Sequence, residues 1–144
     1  MKWALPLGLI IVGAVLFIAC GGGQDDPARA ADKQAIERMV RSFLTAFEAK
    51  DVETMAGLFA QRCGDMREDL QSVLQQYEDA QVVIEFDVER VAVRDLDGDS
   101  AQAAPFGRVT VNGAEQVLGG EEDFVDVVKE EGGWKLADCA FFGG

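Results

Sequence analysis

The sequence contains no histidine. That absence removes the side chain that ordinarily moves protons near neutral pH, the commonest metal ligand, and every Ser-His or Cys-His nucleophilic arrangement. Cysteine is scarce, with only Cys20, Cys63 and Cys139, too few for a tetrahedral all-cysteine zinc centre. Tyrosine occurs once, as Tyr77, so a phenolic proton donor has a single candidate. Positive charge is short as well: 13 Lys and Arg stand against 26 Asp and Glu, a formal net charge of −13. A chain of that sign repels nucleic-acid phosphate and anionic lipid head groups, so no nucleic-acid partner is expected. No motif requires a cofactor. Asp95-Leu96-Asp97-Gly98-Asp99-Ser100 has the composition of a calcium loop, but its glycine stands fourth rather than sixth and no helix flanks it. A hairpin turn accounts for it. Glu121-Glu122-Asp123 reads as a solvated loop.

What the chain does have begins at its N-terminus. Lys2 is followed by an unbroken apolar run from Trp3 to Ala19, then Cys20 and three glycines. A positive start, an apolar stretch and a small residue form a secretion signal read at its cleavage site. Leu16-Phe17-Ile18-Ala19-Cys20 resembles the lipobox of bacterial lipoproteins, with Phe17 where leucine is usual. The resemblance implies cleavage before Cys20 and lipidation of its thiol. It divides the chain into a signal peptide (1–19), a lipidated cysteine with a flexible tether (20–31), and a domain (32–144). An uncleaved anchor is the alternative, since about 20 apolar residues cross a bilayer. Both place the domain outside the cytoplasm, held to the membrane by its N-terminus. Cleavage would remove one charge, Lys2, leaving the mature chain more acidic still.

Within 32–144 the hydrophobic period changes once. Ile36, Val40, Phe43, Leu44 and Phe47 recur at helical spacing, with Asp32 as the expected cap and an end near Lys50. Asp51 caps a second short helix that carries Val52, Met55, Leu58 and Phe59 and stops near Arg62. Asp65 with Glu68 makes a capping-box-like start for a third, with Leu70, Val73, Leu74 and Tyr77 on its apolar stripe. From Gln81 the period is two. Val82, Ile84, Phe86 and Val88 share one face, then Val91 and Val93 take the opposite parity, which predicts a β-bulge at Glu89-Arg90. Asp97-Gly98 and Asn112-Gly113 mark turns around a second strand, Ala101 to Asn112. Pro105 and Gly107 predict an edge position or irregularity in its first half. Asp123 to Glu130 forms a third strand, and Trp134 to Phe141, after Glu131-Gly132-Gly133, a fourth.

Helices followed by a bent antiparallel meander predict an α+β domain, with N-terminal helices packed on a curved four-stranded sheet. Ala35 to Phe59 resembles the opening of nuclear transport factor 2-like (NTF2-like) domains, and Glu131-Gly132-Gly133-Trp134-Lys135-Leu136 resembles their last hairpin. That family shares a cystatin-like cone with SnoaL-type cyclases and ketosteroid isomerases. The resemblance implies a curled sheet around a long helix, often with a pocket at the open end, but no particular activity. Members that work through an Asp–His dyad find no counterpart here.

An isomerase-type mechanism needs a carboxylate base and a Tyr or protonated Asp donor. Asp138 alternates onto the face of Trp134 and Leu136, so on a concave face it becomes the base candidate, with Tyr77 and Trp134 beside it in the pocket. Tyr77, on the apolar stripe of its helix, reads first as a packed core or rim residue. With Cys20 lipidated, Cys63 and Cys139 remain as an even pair in an oxidising compartment, which predicts a disulfide. The two readings conflict: a strand that turns Asp138 inward turns Cys139 outward. The disulfide is preferred. The function expected is a non-catalytic, lipid-anchored domain that binds a small apolar molecule or an envelope protein. A dimerising interaction domain and a carboxylate-based isomerase or cyclase are the alternatives.

Overall fold

A computed structural model describes residues 27–140. Cys20, the signal segment and the first part of the tether lie outside those residues. Helix α1 spans Pro27–Glu48, α2 Val52–Gly57 and α3 Arg67–Asp79. Helix α1 begins five residues before the expected cap, inside the segment read as tether. Proline suits a first helical position, and the Ala-rich residues after it favour the helix. Asp32 therefore lies inside α1 instead of capping it. Asp51 does cap α2, accepting the Thr54 N–H at 3.1 Å. That helix ends at Gly57, not near Arg62; the chain continues through an extended segment and a 3₁₀ turn, Gln61–Cys63. The cap expected from Asp65 is displaced too: its Oδ1 accepts the Arg67 N–H at 3.1 Å, but Met66 occupies the cap position of α3.

The strands are β1 (Ile84–Asp97), β2 (Ser100–Val111), β3 (Ala114–Leu118), β4 (Val125–Glu130) and β5 (Gly133–Leu136). The pairings between these strands are antiparallel, in the order β1-β2-β4-β5, with β3 on the second half of β2. The bulge falls where the parity change puts it: Val88 pairs with Gly107 and Arg90 with Phe106, leaving Glu89 unpaired. Ile84, Phe86, Val88, Val91 and Val93 consequently all pack on one core. Arg41 of α1 reaches the distorted segment, donating to the Val88 carbonyl at 3.0 Å and the Glu89 carbonyl at 3.5 Å. Gly107 makes the crossing sterically feasible. Its φ is +151°, and a Cβ there would stand 2.1 Å from the Asp87 carbonyl oxygen.

Strand β2 is central, not at an edge. Its first half pairs with β4 through Ala103 and its second half with β3 from Gly107, so 104–106 are paired on one side only. Pro105, lacking an N–H, sits in that gap. The turn Asn112-Gly113 has positive φ at both positions, 51° and 83°, as a two-residue type I′ hairpin requires. Strand β5 stops at Leu136, well short of the expected Phe141. The Ala137 carbonyl takes the Arg62 guanidinium at 2.6 and 3.1 Å, and the chain leaves the ladder. The free side of β5 is covered by 58–60: Ala60 N–H donates to Leu136 O and Leu136 N–H to Leu58 O, both at 2.7 Å. This protects an edge that would otherwise invite pairing.

One hydrophobic core joins Ile36, Phe43 and Phe47 of α1 to Leu70 of α3 and to Val127, Trp134 and Leu136 of the sheet. It lies wholly within the compact unit Asp32–Gly144, which thus carries its own core and meets the condition for folding alone.

Candidate functional site

The concave face of the sheet does not close completely on α1. A cavity of about 470 Å³ remains, within the range of small-molecule sites. Helix α1 contributes Phe43 and Phe47, α3 contributes Tyr77, and the sheet contributes Phe86, Ala103 and Val109. The parity of β2 explains the space: Ala103, Pro105 and Val109 face inward, and the first two are small. Phe47 meets both Tyr77 and Phe86 edge-to-face, with ring centroids 5.9 Å apart in each case. These aromatic contacts fix the floor of the cavity and add roughly 0.5–1.5 kcal/mol each beyond burial.

The polar groups are gathered at one end. The 3₁₀ turn Glu121–Asp123, just before β4, brings Glu122 and Asp123 to the cavity, and the tail beyond β5 brings Asp138. A backbone bond from Ala137 N–H to the Asp126 carbonyl, 2.8 Å, ties that tail to the start of β4. Asp138 is half-buried, and its Oδ1 accepts the Ala140 N–H at 3.2 Å. Among the described residues lining the cavity there is no lysine or arginine. The sequence predicts a solvated loop for Glu122 and Asp123, whereas both line the cavity. Only their position after Gly119-Gly120, at the mouth of an inward-facing strand, signals the role.

Of the three candidate pocket residues, Tyr77 and Asp138 line the cavity and Trp134 does not. Its ring is 4% exposed, inside the core, and its Nε1 donates to Asp32 Oδ1 at 3.0 Å. Strand alternation puts Trp134 on the same face as Leu136, yet it lies two residues earlier in β5, beside Asp32 of α1. Asp32 also takes Lys129 Nζ at 3.0 Å. These bonds, Lys129 foremost and then Trp134, hold the Asp32 carboxyl below the ordinary aspartate range.

Cys63 and Cys139 are joined in a disulfide, with Cα atoms 5.2 Å apart across a sequence separation of 76. The conflict between this bridge and an inward Asp138 disappears because β5 ends before either residue, so alternation does not apply to them. The bridge holds the segment that carries Asp138 against the cavity. The hairpin at Asp97-Ser100 is an ordinary paired turn. Among the described residues no group of three or more Asp, Glu, Cys or His is placed to hold a metal ion.

This arrangement, three helices and a curled antiparallel sheet enclosing a pocket, is the NTF2-like, cystatin-like fold. An NTF2-like protein with a cystatin-like fold from Novosphingobium aromaticivorans matches with a TM-score of 0.54 at 16% identity, over 80% of this chain and 88% of that one. A candidate dehydratase of the NTF2-like family from Streptomyces avermitilis matches with a TM-score of 0.58 at 17% identity, over 75% of this chain and 92% of that one. A candidate aromatic ring hydroxylase from Novosphingobium aromaticivorans matches with a TM-score of 0.50 at 18% identity, over 78% and 87%. At these identities the likeness establishes the fold and no activity. No protein-family model matches the sequence, and no curated protein matches it.

Proposed function

We propose that this chain is a lipid-anchored, extracytoplasmic, non-catalytic domain that binds a small apolar molecule in the cavity between α1 and the sheet. The observation that carries the reading is the cavity itself: about 470 Å³ with predominantly apolar and aromatic walls and a few convergent polar groups. Three features support the rest of it. The lipobox-like Leu16 to Cys20 motif points to an envelope anchor. The Cys63–Cys139 disulfide fits an oxidising compartment. Tyr77 packs edge-on against Phe47 as a wall of the cavity, and no histidine accompanies the carboxylates there.

The test is titration of residues 24–144, exported to an oxidising compartment, with neutral N-phenylnaphthylamine, whose emission rises in apolar surroundings. Saturable enhancement with one site per chain is expected. Val109→Trp, which places an indole in the cavity, should abolish it. Absence of saturable enhancement in the unsubstituted domain would refute the binding reading. One observation favours the dimerising alternative: Val117 on β3 is 86% exposed. A mass that rises with concentration in sedimentation equilibrium, and returns to the monomer in Val117→Lys, would establish that alternative.

A further inference from the structure

We infer that the cavity selects an apolar molecule that carries a cationic group, a hydrophobic amine, over neutral and anionic molecules of the same skeleton. The inference rests on the binding reading above and specifies its ligand class. Among the described residues lining the cavity, the charged side chains are three carboxylates, Glu122, Asp123 and Asp138, with no lysine or arginine to offset them. They arise from two segments that the Ala137–Asp126 backbone bond holds side by side, at the β4 end of the site. The other walls, from Phe43 and Phe47 to Val109, offer hydrocarbon. A ligand that fills the walls with its apolar body therefore brings its head to the acidic end.

The energetics follow from that placement. Asp138 is half-buried, so a charge beside it interacts through a lower effective dielectric than bulk water. Glu122 and Asp123 are exposed, and their contribution is screened by salt. An ammonium group donates three hydrogen bonds and accepts none, which matches the acceptor-only carboxylates at the acidic end. A fatty-acid head group in the same place would be repelled. The net charge of −13 biases encounter in the same direction.

The experiment is isothermal titration of residues 24–144 with octylamine, 1-octanol and octanoate, near neutral pH and at low ionic strength. Octylamine is expected to bind at least about tenfold more tightly than 1-octanol, the scale of one charge-assisted hydrogen bond. Octanoate should bind most weakly, and added salt should narrow the gap. In the Glu122→Gln/Asp123→Asn/Asp138→Asn triple variant the affinity for octylamine should fall to that for 1-octanol measured in the same variant. Equal affinity for amine and alcohol in the unsubstituted domain would overturn the inference while leaving the binding reading intact. Failure of all three to bind would overturn both.

Discussion

Gly107 and Asp32 show how single residues hold the site in place from outside it. Any side chain at Gly107 meets the Asp87 carbonyl at 2.1 Å and the Glu89 nitrogen at 2.9 Å, both backbone atoms that cannot swing away. Gly107→Ala should lose roughly 3–5 kcal/mol, combining overpacking with a strained φ, as read by urea denaturation. A change within ±0.5 kcal/mol would show that the bulge is not the tight crossing described. Asp32 makes a prediction about pH. Its carboxyl is held low in the folded state by Lys129 and Trp134, so the unfolded chain takes up its proton first as pH falls. Its contribution is complete above the unfolded value of about 3.9 and is lost as pH drops through the lower folded value. Asp32→Asn should flatten that part of the acid limb in a pH series of denaturation midpoints. Neither role was visible in the sequence. Gly107 reads as a strand irregularity and Asp32 as a helix cap, because the partners of both lie far along the chain.

At the scale of elements, the legible features were those set by local pattern. The parity switch at Glu89-Arg90 located the bulge, Asp51 located a cap, and Asn112-Gly113 located a type I′ turn, since each needs only neighbouring residues. Strand β3 was not legible. Ala114-Glu115-Gln116-Val117-Leu118 has helix-forming residues and no alternation, and only its pairing with β2 makes it a strand. The premature end of β5 was likewise hidden, because it depends on Arg62 and the disulfide. Arg41 is the contact through which α1 holds the bulge, half-exposed and bound to two carbonyls. Arg41→Met should cost about 1 kcal/mol, discounted for solvent screening. Lysine should not restore it, lacking the planar fork. Replacing both Cys63 and Cys139 with serine opens a connection spanning 76 residues, worth roughly 4 kcal/mol in the chain-entropy model. The same replacement frees the tail that carries Asp138, so affinity for a cavity ligand should fall beyond the loss of stability. Unchanged affinity in a still-folded variant would detach the bridge from the site.

For the whole molecule, fold class followed from the succession of periods, helical to about Asp79 and alternating from Gln81. The cavity did not. Its volume depends on where small inward residues such as Ala103 face the aromatic side of α1, a coincidence between elements that no single stretch records. The acidic end is the same kind of feature, assembled from a turn before β4 and a tail after β5. The reading of this space as a binding site, and not a packing remainder, is tested by native mass spectrometry of residues 24–144 exposed to a lipid extract of the host and then purified. One small molecule should be retained per chain, with the adduct absent from Val109→Trp. A chain that emerges without added mass, folded and bridged, would contradict it.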